Sequence, residues 1–414
     1  MKVYCGIDWA EKHHDIALVD ADGQLVARRR IKETVEGFAE LTAMLTEAGD
    51  SAAAPIPVAI ETPRGLLVAA LRATGRRVYP INPMAVARYR ERHTVSRKKS
   101  DHLDAMTLAN ILRTDAHAHR PLPEDTELAR SVAVLARAHQ DATWRRSRAG
   151  NELRSLLREY HPGFLAAFAG GNATNLASPD ARAVLAIAPT PAAAAKLTKA
   201  RVATVLRKGG RKRGVDQLAA RLHEELRRRQ LRQDSLVEDA MGAQALRLLA
   251  TLNTECDSVD QLSQAIAEAF APHPDYKVIT SFTGLGDVTG ARVLAEIGDD
   301  RARFADARSL KAYAGSAPVT RASGRSLSVT HRRVKNDRLA ATGFVWAFVG
   351  AAHSPGASAL YYRRREHGDR HAAALRNVFN RLIGCLYHCL QTGQAYNEAT
   401  AFPTPQDQPE SAAA

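Results

Sequence analysis

Short alternating runs and longer stretches with helical periodicity share the first 117 residues of the chain. Apolar and polar positions that alternate with a period of two are typical of strands, whereas apolar residues at every third or fourth position predict helices. The predicted strands are 3–8, 14–19, 24–31, 57–61 and 77–81, and the predicted helices are 34–48, 65–74 and 84–112. This part of the sequence therefore predicts an α/β domain with the element order βββαβαβα.

The pattern beyond this domain is helical. Residues 126–160 and 215–270 are predicted to form long amphipathic helices, the second interrupted near Gly242, and short helices fill 178–214 after a loop at 170–175. Long helices of this kind often form coiled coils or a dimerising arm. A plain helical linker shows the same pattern, so the sequence leaves both interpretations open.

A separate helical domain is predicted to begin near residue 275. Within residues 278–298 one helix ends, Gly284-Leu285-Gly286 forms a turn and a second helix follows, as in a helix-hairpin-helix unit. Such a turn exposes backbone N–H groups that suit a DNA phosphate, although similar turns occur without any ligand. The expected organisation is an RNase H-like α/β domain at 1–120, a helical or coiled-coil region at 121–274, a C-terminal domain at 275–398 and a disordered tail at 399–414.

The charge of the chain indicates a polyanionic partner. Lys and Arg number 58 against 44 Asp and Glu, which gives a net charge of +14 and is unusual for enzymes of small metabolites. Basic side chains that neutralise phosphates release condensed counterions, so this surplus favours nucleic acid. Only four cysteines are present, and neither a signal peptide nor a membrane-spanning apolar run is seen. The sequence therefore predicts a cytoplasmic, nucleoid-associated protein without a membrane partner.

Four acidic residues stand at positions where an α/β domain collects ligands. Asp8 closes the first strand, Glu61 closes the fourth, and Asp101 and Asp104 lie three residues apart near the start of a helix. Spacing of three places both aspartates on one helix face, and adjacent first and fourth strands bring Asp8 beside Glu61. Carboxylates gathered in this way repel one another unless cations bridge them, and hard oxygen ligands suit Mg²⁺ or Mn²⁺. Each acid alone also has a structural explanation, so the prediction of a metal site depends on their joint placement.

Basic segments accompany these acids. The run 88–99 leads directly into the aspartate pair and suits a phosphodiester lying across the metal site. Arginines at 145–158 and the loop at 207–213 are predicted to contact a nucleic-acid backbone. Solvated charged surfaces would have the same composition.

A serine in the C-terminal domain is a second candidate for chemistry. Ser323 is expected in a flexible, Gly-flanked loop that also contains many cations, namely Arg321, Arg325, His331, Arg332, Arg333 and Lys335. These cations would neutralise phosphate charge beside the serine oxygen, which is a weak nucleophile by itself. From the residues alone a phosphate-binding turn is the simpler interpretation. Ser316, Ser326 and Ser328 compete with Ser323 for any special role.

Taken together, these motifs resemble the insertion-sequence 110 family of transposases, which are bridge-RNA-guided recombinases. The resemblance covers nearly all of residues 1–395 and depends on the segments GIDWAEKHHDIALVD, VAIETP, SRKKSDHLDA, GLGDVTGARVLAEIGD and YAGSAPVTRASG. It implies a RuvC-like domain whose Asp-Glu-Asp-Asp set falls on Asp8, Glu61, Asp101 and Asp104. It also implies a coiled-coil region and a C-terminal transposase domain whose nucleophilic serine falls on Ser323.

The same resemblance implies a reaction and its partners. Serine attack would link the protein covalently to DNA, and the metal-binding acids would complete a composite centre across protomers of a dimer or synaptic tetramer. A non-coding guide RNA would pair with the target DNA and the donor DNA. The expected function is insertion and excision of a mobile element by strand exchange.

Two other functions fit the residues. A metal-dependent endonuclease of the Holliday-junction-resolvase kind would use water as the nucleophile and leave Ser323 structural. A nucleic-acid-binding protein without catalysis would need no carboxylate quartet. Covalent attachment to DNA separates the recombinase from the nuclease, and the grouping of the four acids separates both from a simple binding protein.

Overall fold

The computed structural model describes residues 2–93, 101–170, 173–324 and 326–403. Contacts divide the chain into two compact units, Met1–Glu124 and Asp125–Ala414. The described helices include none with the length and apolar character needed to cross a membrane. The chain as a whole is mostly helical, with one mixed sheet in the first unit.

The first unit has the predicted order of elements, except that the last helical stretch, predicted over 84–112, is described as two helices on either side of residues 94–100. They are β1 (Tyr4–Trp9), β2 (His13–Val19), β3 (Leu25–Lys32), α1 (Val35–Glu47), β4 (Val58–Ile60), α2 (Leu66–Ala73), β5 (Val78–Pro80), α3 (Pro83–His93) and α4 (Asp101–Asp115), followed by a 3-10 turn at Ala116–Ala118. The strand order in the sheet is β3-β2-β1-β4-β5. Strands β1, β2 and β3 are antiparallel neighbours, whereas β4 and β5 continue the sheet in parallel with β1. This mixed sheet is consistent with an RNase H-like domain.

Small residues on one face of the sheet allow α4 to lie close to it. Gly6, Ala17 and Ala59 stand abreast on the three central strands. A Cβ atom on Gly6 would lie 2.0 Å from the carbonyl oxygen of Ala105 in α4, so only glycine permits this approach. The opposite face carries larger apolar side chains such as Ile7 and Ile60, which form a buried core with α1 and α2.

The second unit begins with a long helix and contains most of the helices. Its elements are α5 (Glu127–Tyr160), α6 (Pro162–Ala167), β6 (Ala169–Gly170), β7 (Ala173–Thr174), α7 (Pro179–Ile187), α8 (Pro191–Ala195), α9 (Lys199–Lys208), α10 (Val215–Leu226), α11 (Ser235–Phe270), α12 (Tyr276–Thr280), α13 (Asp287–Ile297), α14 (Ala307–Tyr313), β8 (Val319–Ser323), β9 (Ser326–Thr330), α15 (Asp337–His353), α16 (Pro355–Glu366), α17 (His371–Thr392) and α18 (Glu398–Ala401). Helices α5 and α11 contribute side chains to both hydrophobic cores of this unit. The domain boundaries drawn from the sequence between residues 121 and 398 stay a prediction.

The two longest helices pack against each other within the chain. Nε of Arg145 donates to Oε1 of Glu255 at 2.8 Å, and Ser263 Oγ lies 2.9 Å from Nε2 of His139. Later residues of α5 therefore meet earlier residues of α11, which makes the pair antiparallel. A coiled coil between protomers, as the sequence suggested, stays a prediction.

The structure corrects the predicted break near Gly242. Helix α11 continues through Gly242, and the chain instead leaves the helical path at residues 227–234, between α10 and α11. A Cβ atom on Gly242 would lie 2.4 Å from Cγ2 of Thr190. The glycine is explained by this close contact with a neighbouring segment and not by an interruption of the helix.

Two segments predicted to be irregular contain regular structure. The strands β6 and β7 form a small antiparallel ladder that begins one residue before the predicted loop at 170–175 and includes part of it. The predicted tail from residue 399 is wrong for its first residues, because α18 is helical and Ala401 is buried, with its carbonyl oxygen accepting from Nε of Arg381 at 2.5 Å. Phe402 lies against Gly356, which explains why this stretch is ordered. Residues 404–414 of the predicted tail lie outside the described residues.

Replacing Gly6 with Ala is expected to destabilise the first unit by roughly 3 kcal/mol, because the added methyl group overlaps the backbone of α4. Thermal unfolding measured by circular dichroism tests this. The matched control is Gly150→Ala, a helical glycine with open space where the methyl group would be placed. Equal melting temperatures for Gly6→Ala and the parent protein would contradict the packing described here.

Two buried histidines are expected to make the second unit sensitive to acid. Burial lowers the pKa of His139 to about 4, helped by the neighbouring Arg292 guanidinium, and burial also lowers the pKa of His161 to about 4. Below pH 6.5 the unfolded chain takes up protons that the folded protein excludes, so stability present at neutral pH is lost as the pH falls.

When the pH is lowered from about 7 to about 5, each histidine is expected to reduce the free energy of unfolding by roughly 2 kcal/mol. Urea denaturation at both pH values measures this loss. His139→Asn, which can still accept from Arg292, should remove about half of the pH dependence. An unchanged dependence in that variant would show that His139 is not held neutral by the fold.

Candidate active site

Three of the four predicted acids line one cavity in the first unit. Asp8 lies near the end of β1, Glu61 directly follows β4, and Asp104 lies in the first turn of α4. The cavity measures about 320 Å³ and is also lined by Arg90 of α3, together with Pro83, Val86 and Ala87. The sheet and two helices thus supply charged groups to a single pocket.

The register of the sheet explains why these acids meet. Ile7 of β1 pairs with Ile60 of β4, so the next residues, Asp8 and Glu61, stand side by side at the strand ends. Side chains alternate along a strand, which places Asp8 on the same face as Gly6 and beneath α4. Asp104 precedes the residue whose carbonyl lies against Gly6, and only 6% of its surface is exposed.

Arg90 occupies the same cavity as these acids. Its Nη2 atom donates to Oδ1 of Asp104, and about a quarter of its side chain is exposed. Across the described residues, no three His, Cys, Asp or Glu side chains are grouped closely enough to hold one metal ion as they stand. Asp101 is the first residue of α4, but its side chain lies outside the described residues, as do Ser100 and positions 94–99 of the predicted basic run. The metal site therefore stays a prediction.

A fifth acid lies beside the cavity residues and was missed by the sequence analysis. Asp15 of β2 pairs directly with Asp8 of β1 and is 2% exposed. Nε and Nη2 of Arg30 on β3 donate to its two carboxylate oxygens at 3.0 and 2.7 Å. The signal in the sequence is its location in the second strand, but the register of that strand against the first was not predicted.

Ser323 lies at the tip of an exposed β-hairpin and not in the predicted loop. Strands β8 and β9 pair along their whole length, and Ser323 pairs with Ser326 across the turn. Gly324 has φ of +55° in this turn, a left-handed conformation that favours glycine. Arg325 lies outside the described residues. The serine hydroxyl is exposed to solvent, as a nucleophile acting on a large substrate requires.

The hairpin does not gather the predicted cations around Ser323. Arg321 shares the serine's face of β8, because alternate residues of a strand point the same way, and it pairs with Ser328. The segment 331–335 follows β9 at the opposite end of the hairpin, where Val319 pairs with Thr330. At about 3.3 Å per residue, that end is roughly 13 Å from the tip. The expectation that His331, Arg332, Arg333 and Lys335 surround Ser323 is wrong within this hairpin, because the chain forms extended strands.

The competing serines differ in accessibility. Ser316 is buried, and its Oγ lies 3.1 Å from Oδ1 of Asn380 and 3.2 Å from the carbonyl of Lys311. These contacts give it a structural role. Ser326 and Ser328 are exposed on β9, on the same face as Ser323, and remain alternatives.

A polar network fixes the base of the hairpin, and no pattern in the sequence predicted it. Asn336 donates through Nδ2 to the hydroxyl of Tyr313 at 2.7 Å and to Oε2 of Glu296 at 2.6 Å. Its backbone N–H donates to the carbonyl of Tyr313, and its Oδ1 accepts from the N–H of Leu339 at the start of α15. Glu296 is itself buried and accepts from Arg137. The two ends of the segment 313–336 are therefore held together.

Some arginines of the predicted nucleic-acid-binding segments form ion pairs within the protein. Arg145 pairs with Glu255, and Arg207 pairs with Asp216. An open groove of about 630 Å³, not predicted from the sequence, is lined by the basic residues Lys199, Arg221, His223, Arg227 and Arg228, together with Glu224 and Ala220. Helices α9 and α10 thus present a further region of positive charge.

Two family profiles match the chain. A transposase profile of the DEDD type covers residues 5–162, which include all four predicted acids. A profile described as the transposase IS116/IS110/IS902 family covers residues 276–363, which include Ser323.

Full-length relatives agree with these profiles. The chain is 57% identical over 97% of its length to a mini-circle protein of Streptomyces coelicolor that is described as a transposase for IS117, and the match covers 97% of that protein. It is 29% identical to a 42 kDa protein of insertion element IS900 from Mycobacterium paratuberculosis, over 96% of this chain and 98% of the other. It is 28% identical to a 44.8 kDa protein of insertion element IS116 from Streptomyces clavuligerus, over 96% and 97%. The chain therefore belongs to the IS110 family of transposases.

Proposed function

We propose that this transposase inserts and excises a mobile DNA element by strand exchange, with Ser323 as nucleophile and Asp8, Glu61, Asp101 and Asp104 as ligands of Mg²⁺ or Mn²⁺. The observation that carries the proposal is the cavity in which acids from β1, β4 and α4 meet beside Arg90. Three carboxylates outnumber the one guanidinium among the lining residues, and a divalent cation would offset the remaining repulsion between them.

The donor set of the cavity fits a hard divalent cation. Carboxylate oxygens are the preferred protein ligands of Mg²⁺ and Mn²⁺, and Asp8, Glu61 and Asp104 supply them from a rigid sheet and helix. Such an ion supplies Lewis-acid stabilisation of charge on phosphoryl oxygens when bound. When the ion binds, Arg90 would have to release Asp104. The partly exposed guanidinium of Arg90 could then bind a DNA phosphate.

The hairpin supplies the other reacting group in this proposal. The exposed Oγ of Ser323 attacks a DNA phosphorus, a new O–P bond forms, and the bond from phosphorus to the sugar oxygen breaks. The serine proton is transferred, directly or through solvent, to the departing sugar oxygen. Arg321 on the same face of β8 offsets charge on the phosphate. The covalent link conserves the energy of the broken phosphodiester, so that strands can be rejoined without an external energy source.

The proposed partners are the two DNA substrates, a non-coding guide RNA and further copies of the chain. The net charge of +14 and the basic groove on α9 and α10 support a polyanionic partner. Guide-RNA pairing and assembly into a dimer or synaptic tetramer follow from the family resemblance.

A second function is a metal-dependent endonuclease of the resolvase kind, in which water attacks the phosphate. The observation that favours it is the acid-lined cavity itself, because metal ions held by such carboxylates can activate water as the nucleophile without a side-chain hydroxyl. Covalent attachment of protein to DNA distinguishes the two functions.

Replacing Ser323 with Ala is expected to abolish the covalent protein–DNA adduct, because the variant lacks the attacking oxygen. Denaturing gel electrophoresis of reactions with labelled element-junction DNA measures the adduct. Ser326→Ala and Ser328→Ala are matched controls on the same face of the hairpin and should retain it. Normal recombination by Ser323→Ala would contradict the serine mechanism and support the nuclease.

Replacing Asp104 with Asn is expected to reduce strand cleavage by about a thousandfold or more, while binding to DNA is retained, because the carboxylate is lost from a site that stabilises the reacting phosphate. Asp115→Asn is the control, since Asp115 lies on the same helix and pairs with Arg92. Cleavage and filter-binding assays at several Mn²⁺ concentrations measure the two effects. Full activity of Asp104→Asn would exclude the proposed acid site.

A further inference from the structure

Four charged residues form one row across the sheet of the first unit. Arg30 pairs with Asp15 in the β2–β3 register, and Asp15 pairs with Asp8 in the β1–β2 register. Glu61 follows at the next strand, because it comes one residue after the pair Ile7 and Ile60. Residues paired in this way point to the same face of a sheet. The row therefore reads Arg30, Asp15, Asp8, Glu61, from the edge of the sheet to the acid-lined cavity.

Asp15 is closely bound by Arg30, the residue at one end of this row. Its side chain is nearly inaccessible, and both carboxylate oxygens accept from Arg30 in a bidentate arrangement. Nε2 of His13 lies 4.0 Å from one of these oxygens. The Arg30 side chain remains about half exposed. The buried charge is thus compensated by a cation that reaches in from the sheet surface.

The ion pair between Arg30 and Asp15 reduces electrostatic repulsion within the sheet. Like charges directly opposite each other in an antiparallel pair are destabilising, and Asp8 and Asp15 are such a pair. A bidentate guanidinium offsets the charge of Asp15, whereas the neighbouring Asp8 lines the cavity. Arg30 and Asp8 are two strands, or roughly 10 Å, apart, which an arginine side chain can largely span.

We propose that Arg30 and Asp15 form a positioning pair that keeps Asp8 available to a divalent cation. Asp15 holds the guanidinium of Arg30 away from Asp8, and Arg30 cancels the repulsion that Asp15 would exert on Asp8. Neither residue touches the ion or the DNA. The inference rests on the proposed metal-binding function, and it assigns a role to two residues outside the Asp-Glu-Asp-Asp set.

If this proposal is right, replacing Asp15 and replacing Arg30 should change the affinity for Mn²⁺ in different directions. Asp15→Asn frees the Arg30 guanidinium to approach Asp8, so Mn²⁺ binding should weaken by about fivefold. Arg30→Met removes that cation, so Mn²⁺ should bind at least as tightly as in the parent protein. The double variant removes both charges and should return to within about twofold of the parent affinity. Arg30→Lys retains the positive charge and should bind Mn²⁺ with nearly the parent affinity.

Isothermal titration of the full chain with Mn²⁺, in the absence of DNA, measures these affinities without reference to activity. The melting temperature of each variant, measured in parallel, shows whether it is folded. If Arg30→Met is too unstable to titrate, Asp15→Asn, Arg30→Lys and the double variant still test the proposal.

The outcomes are distinct. Equal losses of affinity in Asp15→Asn and in the double variant would make Asp15 a metal ligand and overturn the proposal. Similar losses in both single variants, without recovery in the double variant, would make the pair merely structural. Parent-like binding by Asp15→Asn, when Asp104→Asn abolishes binding, would overturn the inference and leave the metal site standing. Failure of the parent protein to bind Mn²⁺ would overturn the site and the inference together.

Discussion

The close approach of α4 to the central sheet is the constraint on which the acid-lined cavity depends. Gly6, Ala17 and Ala59 present almost no side chain to the helix, and Gly6 leaves room for the carbonyl of Ala105. Because α4 lies this low, Asp104 comes to the ends of β1 and β4, where the strand register has already placed Asp8 and Glu61 together. A larger residue beneath the helix would separate these carboxylates.

The second unit presents its candidate nucleophile in a different way. Ser323 is held on a two-stranded hairpin whose side chains are largely exposed, while the base of the hairpin is fixed by the buried network of Asn336, Tyr313 and Glu296. Two isolated strands have little stability of their own, so the anchoring at the base determines where the tip projects. A rigid acid cavity and a projecting serine are compatible with a reaction on a large substrate.

Local sequence patterns predicted the order of elements, because strand alternation and helix spacing are local properties. The grouping of the four acids was predicted only with the further assumption that the first and fourth strands are neighbours, as they are in the sheet. The role of Asp15 was not predictable, since it depends on the register between β1 and β2, which a single sequence does not fix. Ser323 was expected in a loop because Gly324 and many polar residues follow it, but cross-strand pairing produced a hairpin. Gly242 was read as a helix break, whereas the glycine serves a tertiary contact with Thr190. These three features were not predicted correctly for the same reason, because long-range contacts override local preference.

In the proposed function the acids of the first unit and Ser323 serve one covalent reaction on DNA. Its most direct test is mass spectrometry of the peptide that carries DNA, after reaction with Mn²⁺, denaturation and digestion with protease and nuclease. We expect a nucleotide attached through phosphate to Ser323 in the parent protein and none when Asp104 is replaced by Asn. Cleaved DNA without any modified peptide would rule out Ser323 as the nucleophile, and so would a nucleotide attached to Ser326 or Ser328.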